Sequence, residues 1–353
     1  MRPSARNGRG MTLVELMVGL AVGLFVTLIA IAVFVSTRTL NVVAASGSRM
    51  GENSRLAMDV LQEDLRSAGF QGCHARTADP PASVLDAVAA AAAGFLDGGS
   101  AGLAGHRGTG SSFAPTLNAA LATLPAGQAP LADSDIVTVR VPADRLSYGL
   151  TATMATTSAA PQVGAALPGN PLKQGDIALI ASCMAGTIFQ ITAADPAATG
   201  RLEHDVGGSF VPGNASADLL QKYRGDAAVY RLQTRHYYVA PSLMHPGSKS
   251  LWRLIVPGDG TPQEVAAGID RLNVSWGIDA EGDQTVNRYV SADAVPDWEQ
   301  VISARLQMLS ATTRDGVAQM PQTVEFAGSA VTATDRRLRT VLTEIVTLRS
   351  RAP

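Results

Sequence analysis

Residues 11–35 read MTLVELMVGLAVGLFVTLIAIAVFV, and this stretch decides the architecture of the chain. Only Thr27 interrupts the apolar run from Leu16 to Val35 with a polar side chain. An apolar helix of about 20 residues spans the ~30 Å hydrocarbon core of a bilayer. We therefore predict a membrane-spanning helix. Glu15 is an unfavourable residue near its start, because an ionised side chain inside a bilayer costs roughly 2.5–3.5 kcal/mol.

A short basic leader with Arg2, Arg6 and Arg9 precedes this helix and ends in Gly10. The stretch GMTLVELMVGL that follows resembles the class III signal of type IV pilins and related pseudopilins: a Gly, a hydrophobic residue, Thr, two aliphatic residues, Glu and an apolar helix. The resemblance implies that prepilin peptidase cuts between Gly10 and Met11, that Met11 becomes N-methylated, and that Glu15 is the fifth mature residue. Most major pilins carry Phe where Met11 stands.

Two ordinary explanations of the leader stay open beside this resemblance. A secretory signal has a shorter apolar region and a small-residue cleavage site after it, and no clear site of that kind follows here. A plain signal-anchor helix explains the arginines and the apolar run. It does not explain why Gly10 and Glu15 stand where they do.

The helix is predicted to continue beyond the membrane. Apolar residues recur at spacings of three, four and seven, and charged residues occupy the opposite side. The apolar residues are Met50, Ala57, Leu61, Leu65 and Ala68. The charged residues are Glu52, Arg55, Asp59, Glu63 and Arg66. This pattern is typical of an amphipathic helix with one buried face. We predict one helix from about Thr12 to Ala68, softened at Gly47 and Gly51. Gly69 is the predicted C-cap, with Phe70 folding back on Leu65.

Charge predicts the orientation of the chain in the membrane. Arginines that flank a membrane helix favour the cytoplasmic side, so the leader cluster places the larger domain in the bacterial periplasm, although Arg38 and Arg49 mildly oppose this. The formal net charge is -2, and loss of residues 1–10 removes three Arg and no acid, which leaves -5. The scattered Lys and Arg residues do not form the basic patch of a nucleic-acid-binding protein.

Cys73 and Cys183 are the two cysteines of the chain. In an oxidising compartment they most simply form one disulfide, which closes a loop of about 100 residues and is worth on the order of 4–5 kcal/mol. Two separate free thiols are the alternative. Metal binding through Cys73 and His74 does not match a zinc-site spacing.

The region after the helix is predicted to be a β-rich head. Residues 79–132 are poor in charge and rich in Ala, Gly, Pro and Ser, so we predict a flexible insertion there, with one short helix at Ala89–Ala93. Its glycine-rich piece, residues 105–112, lacks the Lys of a phosphate-binding loop. Strand patterns then follow at 135–141, 176–182, 187–192, 229–239, 251–256, 272–278, 301–309 and 338–348. The second and third form a predicted hairpin around Cys183, and the fifth is predicted to return beside the fourth. One long helix followed by many short strands predicts an α+β fold with a mainly antiparallel sheet.

Several blocks of the head are similar to PilW-type minor pilins: residues 52–73, 175–192, 228–239, 268–298 and 336–351. The resemblance implies a pilin fold with a leader (1–10), a transmembrane half-helix (11–35), an amphipathic half-helix (36–69) and a periplasmic head (70–353). It also implies an inner-membrane protein that enters the pilus within a minor-pilin complex that primes assembly. That complex would lie at the fibre tip with a large adhesin. Other minor pilins, the major pilin and the inner-membrane assembly platform are the remaining implied partners.

Cleavage at Gly10 would give Met11 a free amine. We predict that Glu15 of one subunit neutralises the Met11 amine of its neighbour, because a paired charge is tolerated in an apolar core where a lone one is not. The alternative is an acidic residue held at headgroup level near a helix end. Gly10 is expected to be small because the peptidase must approach the backbone closely.

Asp279, Glu281 and Asp283 form a weak candidate for a Ca²⁺ loop, together with Asn287. Gln284 and Val290 stand where an EF-hand needs Gly and Glu, and a turn between strands explains the same residues. The chain contains no H-E-x-x-H and no G-x-S-x-G motif, so we predict no catalytic site and no cofactor. The alternatives to a PilW-type pilin are a J-type minor pseudopilin of type II secretion and a signal-anchored periplasmic enzyme or binding protein.

Overall fold

One long helix, α1 (Leu13–Ser67), carries the chain from its N-terminus into a β-rich head. The computed structural model describes residues 11–73, 80–97, 101–165 and 172–348, so Gly10 and His74 lie outside the described residues. Within that part of the chain, α1 is the one helix long and apolar enough to cross a membrane. It is continuous through Gly47 and Gly51. The predicted helix is therefore confirmed to within one residue at each end.

The two halves of α1 have different surroundings. Every side chain from Met11 to Asn41 is exposed in the isolated chain, and the buried residues of the helix begin at Met50. From there Ala57, Leu61 and Leu65 are completely buried. The 3.6-residue periodicity of the sequence thus places its apolar stripe against the head and leaves the first half of the helix without contacts in the head.

The end of α1 differs from its prediction. Gly69 does adopt a positive φ of 70°, as a helix-terminating glycine can. Its N–H donates to the carbonyl of Arg140, however, at 3.1 Å and not to the helix. Phe70 packs edge-on against Tyr230, with ring centroids 5.0 Å apart, in a hydrophobic cluster that does not contain Leu65. The predicted Phe70–Leu65 contact is wrong because the chain turns at Gly69 towards β4 and β8, where Phe70 meets Tyr230.

A ten-stranded sheet forms the larger part of the head, and its central order is β1-β7-β6-β8-β4-β2-β3. The strands are β1 (Ala82–Ser83), β2 (Leu103–Gly108), β3 (Phe113–Ala114), β4 (Ile136–Pro142), β5 (Tyr148–Gly149), β6 (Ile177–Ala181), β7 (Gly186–Gln190), β8 (Ala228–Pro241), β9 (Lys249–Val256) and β10 (Gln263–Ala267). The long strand β8 pairs with β6 over its first residues and with β9 over its last ones. The predicted hairpin β6–β7 and the predicted return of β9 beside β8 are both confirmed.

A second, four-stranded antiparallel sheet has the order β12-β11-β13-β16, and β14 and β15 form a separate hairpin. These strands are β11 (Ile269–Ile278), β12 (Arg288–Val290), β13 (Val301–Ala311), β14 (Thr323–Phe326), β15 (Ser329–Thr332) and β16 (Arg339–Thr347). Short helices connect strands at α2 (Ala87–Ala93), α3 (Ala119–Ala122) and α4 (Pro196–Thr199), with 3-10 turns at Ala292–Ala294 and Trp298–Gln300.

The main core lies between α1 and the two larger sheets. It joins Leu61 and Leu65 of the helix to Val137 and Val139 of β4 and to Leu306 of β13. Because both sheets bury one face on the same helix, α1 is the central element of the head. The predicted α+β fold, with a long helix on a mainly antiparallel sheet, is confirmed.

The region predicted as a flexible insertion is in part a component of the large sheet. Strand β2 (Leu103–Gly108) pairs antiparallel with β4, and Leu103 is buried in the main core. Gly108 lies where a Cβ would come within 2.6 Å of the carbonyl oxygens of Ala132 and Ser134. The prediction is wrong over β2 because these glycines permit close packing within a sheet and do not mark a loop.

Candidate functional site: the N-terminal helix and its attachment to the head

The first turn of α1 is closed by a reciprocal pair of contacts between Thr12 and Glu15. The Thr12 N–H donates to Glu15 Oε2 at 2.9 Å, the Thr12 hydroxyl donates to the same oxygen at 3.0 Å, and the Glu15 N–H donates to Thr12 Oγ1 at 3.3 Å. This is a capping box, which satisfies backbone donors that a helix start leaves free. The carboxylate also lies at the positive end of the helix dipole.

The capping box gives Glu15 a partner within its own chain. This arrangement matches the alternative in which the acid is held near a helix end. The predicted pairing with a neighbour's Met11 amine involves a second chain. Our sequence reasoning missed the box, although T-x-x-E just before an apolar run is its recognised pattern.

Glu15 shares one face of α1 with Gly19, Gly23 and Thr27, which follow it at intervals of four residues. The Thr27 hydroxyl donates back to the Gly23 carbonyl at 2.7 Å, so its polar group is satisfied within the helix. A Cβ on Gly19 or Gly23 would meet nothing within 4 Å. This face is therefore smooth, in the sense that no side chain protrudes at Gly19 or Gly23. Small residues of this kind let a second apolar helix approach closely.

The second half of α1 is fastened to the large sheet by a buried carboxylate. Asp64 lies on the buried side of the helix and accepts a hydrogen bond from Arg235 Nη1 at 2.8 Å. Its other oxygen accepts a bond from the Tyr237 hydroxyl. Burial, and then the adjacent Asp64 carboxylate, raise the pKa of the Tyr237 hydroxyl far above its usual value. A charge that is paired and hydrogen-bonded in this way fixes the helix against β8.

Sequence reasoning also missed Asp64. Its register does contain a signal, because Asp64 follows Leu61 by three residues and Ala57 by seven, within the apolar stripe. A polar residue inside such a stripe indicates a buried partner. Asn53 adds a smaller attachment, since its amide donates to the carbonyl of Ala267 at 3.0 Å.

A disulfide joins the end of α1 to the tip of the β6–β7 hairpin. Cys73 and Cys183 are bonded, with their Cα atoms 4.8 Å apart and a sequence separation of 110. Gly72 fits tightly beside the hairpin, because a Cβ there would lie 2.9 Å from the Cβ of Ala181. The predicted disulfide is confirmed, and both cysteines are exposed at the surface of the head.

His236 is completely buried in β8. One ring nitrogen contacts the Thr138 hydroxyl at 2.9 Å, and the other contacts the Gly94 carbonyl at 2.9 Å. Burial lowers the pKa of the His236 imidazole to about 4, so the ring is neutral at physiological pH. The residue therefore ties the end of α2 to the sheet.

In the candidate Ca²⁺ loop, the side-chain oxygens of Asp279 and Asn287 accept hydrogen bonds from backbone amides of the same turn. Asp279 Oδ1 accepts from the Gly282 and Asp283 amides at 2.7 and 3.2 Å, and its Oδ2 accepts from the Gln284 amide at 2.8 Å. Asn287 Oδ1 accepts from the Ala280 amide at 2.7 Å. Glu281 is exposed beside them. Among the described residues no group of three or more Asp, Glu, His or Cys side chains could hold a metal ion. The turn that we gave as the alternative accounts for these contacts.

Comparison with known proteins adds two matches. Residues 229–350, which run from β8 to just beyond β16, match the family described as Type IV Pilus-assembly protein W. Residues 5–31, which include Gly10, Met11 and Glu15, match the prokaryotic N-terminal methylation motif. No curated protein and no solved structure matches the chain. These matches confirm the resemblance over the leader motif and over the three blocks from residue 228 onwards, while the blocks at 52–73 and 175–192 lie outside them.

Proposed function

We propose that this chain, a PilW-type type IV pilus-assembly protein with a class III prepilin N-terminus, is a minor pilin that helps to prime assembly at the pilus tip. One observation carries the proposal: the methylation motif covers a helix start whose apolar half is fully exposed, while the other half of the same helix is buried in a head that matches the pilus-assembly family. Such a helix needs an apolar environment that the head does not supply. The proposed role is structural and does not involve catalysis.

The proposed topology follows from the division of α1. Residues 1–10 are the leader removed by prepilin peptidase, residues 11–35 cross the inner membrane, and residues 36–69 link the membrane to a periplasmic head. The leader arginines on the cytoplasmic side support this orientation. The exposed disulfide supports it as well, because disulfides persist in the oxidising periplasm and are rare in the cytosol.

Glu15 is the proposed assembly residue. Before assembly its carboxylate is held by Thr12 in the capping box, which lowers the free-energy cost of its position in the bilayer. Once Gly10 is removed, the new Met11 amine lies four residues from this carboxylate. In the fibre, the amine of one subunit would pair with Glu15 of the next, along the smooth face formed by Gly19 and Gly23. Subunits out of register would leave the carboxylate without that cation.

The proposed partners come from the family resemblance and include other minor pilins, the major pilin, the inner-membrane assembly platform and a large tip adhesin. The match over residues 229–350 is to a pilus-assembly family, which supports this proposal over the pseudopilin of type II secretion. No nucleic acid is proposed as a partner. The chain as a whole is slightly acidic, with a formal net charge of -2, whereas nucleic-acid-binding domains are typically basic.

The proposal is tested by replacing Glu15→Gln and measuring the protein in membranes and in sheared pili. We expect normal membrane insertion and at least about tenfold less protein in the pili, because an amine left unpaired in an apolar core is strongly unfavourable. Thr12→Ala is the matched control, since it weakens the capping box and keeps the charge. The proposed role of Glu15 is wrong if Glu15→Gln enters pili as the unaltered chain does, or if Thr12→Ala is equally defective.

A further inference from the structure

Three loops of the head converge around α1 just after its membrane-spanning half. The loops are residues 242–248, 312–322 and 333–338. His245 and Arg314 line a groove of about 380 Å³ together with helix residues from Val42 to Asn53. Arg337 Nη2 joins the first and third loops by donating to the Gly247 carbonyl at 2.7 Å. The backbone N–H of Arg336 joins the second and third loops by donating to Asp315 Oδ1 at 2.8 Å. We call this underside of the head the basal surface.

The basal surface carries exposed cations that form no close ion pair within the described residues, although Arg336 interacts electrostatically with the nearby Asp315 carboxylate. Arg49, Arg314 and Arg336 are exposed, and none forms an ion pair within the described residues. Arg38 is a fourth such residue, and it precedes Val42 by one turn on the helix face that lines the groove.

The acidic residues nearby are held against the protein. The Asp315 carboxylate accepts from the amides of Gly316 and Arg336 at 2.7 and 2.8 Å. Glu264 accepts from two serine hydroxyls and from the Leu243 amide. Glu52 accepts a long hydrogen bond, 3.4 Å, from Ser48. The exposed cations outnumber these acids, although the mature chain as a whole is predicted to be acidic.

The same surface exposes two large apolar side chains. Leu243 and Met244 occupy the tip of the β8–β9 loop and are 59% and 76% exposed. The loop is closed by a hydrogen bond from the Ser242 N–H to the Ser248 carbonyl at 3.0 Å, so the tip is presented by an ordered turn. Apolar tips flanked by arginines are suited to the interface of an anionic bilayer.

The length of α1 places this surface close to lipid. Val42 lies seven residues beyond Val35, which is ~10 Å along a helix. The headgroup layer on each side of a bilayer is ~5–7 Å thick. The groove therefore begins, at Val42, within about one Debye length, ~8 Å, of the headgroup layer.

We infer that the basal surface docks on the anionic phospholipid headgroups of the periplasmic leaflet, with Arg38, Arg49, Arg314 and Arg336 as the phosphate-facing cations and Leu243 and Met244 as the inserted tip. This inference rests on the membrane anchoring by α1 proposed above. Docking would hold the head in one orientation while the subunit waits in the membrane. Entry into the pilus would then require release of the lipid contacts.

The test uses the full chain reconstituted in vesicles of phosphatidylcholine alone or of phosphatidylcholine with phosphatidylglycerol. Flotation reports anchoring, and amide hydrogen exchange of peptides covering 241–249 and 311–318 reports docking. We expect flotation with both vesicles, and slowed exchange of the basal peptides only with phosphatidylglycerol and at low salt. The Arg314→Gln/Arg336→Gln variant should weaken docking about 30-fold, since each surface cation favours binding to an anionic membrane about fivefold.

The matched control is Lys222→Gln/Arg224→Gln, which removes two exposed cations beside Tyr223, a residue in a core cluster without α1. It should leave the basal exchange unchanged. If the chain floats but the basal peptides exchange at the same rate with both kinds of vesicle, docking is wrong and anchoring by α1 stands. Protection that depends on protein concentration and not on lipid charge would overturn docking in favour of contact between copies of the chain. Failure to float would overturn the anchoring itself and, with it, this inference.

Discussion

Loss of the Cys73–Cys183 disulfide should destabilise the head by an amount that follows from its place in the chain. The cross-link closes a loop of 110 residues, and the chain-entropy estimate for a loop of that length is about 4.8 kcal/mol. A head of about 280 residues has an unfolding entropy near 0.6 kcal/mol per degree, so the midpoint of thermal unfolding should fall by roughly 8 °C. We therefore predict this shift for the Cys73→Ser/Cys183→Ser variant.

The assay is thermal unfolding of the full chain in mild detergent, followed by near-ultraviolet circular dichroism. Reduction of the unaltered protein should reproduce the shift of the double variant. Met184→Ser is the control, because it changes an exposed side chain next to Cys183 and should alter stability by less than about 0.5 kcal/mol. The reasoning would be refuted by a double variant that melts with the unaltered chain, or by two free thiols in the native protein.

Four further substitutions test the attachment of α1 and the packing of the sheet, each by urea unfolding. Asp64→Asn should cost about 3 kcal/mol because Arg235 loses its anion, whereas Tyr237→Phe should cost only about 1 kcal/mol; equal losses would contradict an ionic role for Asp64. The pKa of His236 is lowered to about 4 in the folded chain, so the unfolded state binds more protons between pH 6.5 and 4, and stability should fall by up to about 3 kcal/mol as the pH drops through that window. His236→Gln should remove this part of the pH dependence, and an unchanged slope would count against it. Gly51→Ala should stabilise the head by about 1 kcal/mol, because a Cβ there meets nothing within 4 Å; a loss of stability would contradict a regular helix at this point.

Periodic apolar residues made the long elements predictable. The stripe from Met50 to Ala68 continues the apolar run of the membrane segment, so the sequence predicted one helix, and α1 spans Leu13–Ser67. The alternation of Val137, Val139 and Val141 likewise predicted β4, whose three valines lie in the core with α1. Both predictions depend on contacts that repeat along the chain, which a single sequence records.

Features that depend on distant neighbours were not predictable in the same way. Gly105 and Gly108 read as loop residues, yet they lie in β2. A Cβ on Gly105 would come within 3.1 Å of Trp276, and one on Gly108 within 2.6 Å of the Ser134 carbonyl oxygen. Asp64 lies in the apolar stripe of α1, and its partners Arg235 and Tyr237 follow more than 170 residues later in the chain. A sequence pattern gives no direct record of such tertiary contacts.

The candidate site was predictable in its residues and not in their contacts. The positions of Gly10, Met11 and Glu15 follow from a local motif that a family comparison also matches. The capping contact between Thr12 and Glu15 is equally local and was available from the spacing alone. The proposed pairing of Glu15 with a second subunit forms only in an assembly. The single chain shows only the helix face of Glu15, Gly19 and Gly23 along which that pairing would form.

The N-terminal mass of the mature protein tests the central claim most directly. The chain is expressed in a bacterium that has a prepilin peptidase, recovered from membranes and pili, and its N-terminal peptide is measured by mass spectrometry. The account predicts a chain that begins at Met11 and carries an N-methyl group, with residues 1–10 absent. A mature chain that keeps the leader, or that begins after the apolar segment, would contradict it.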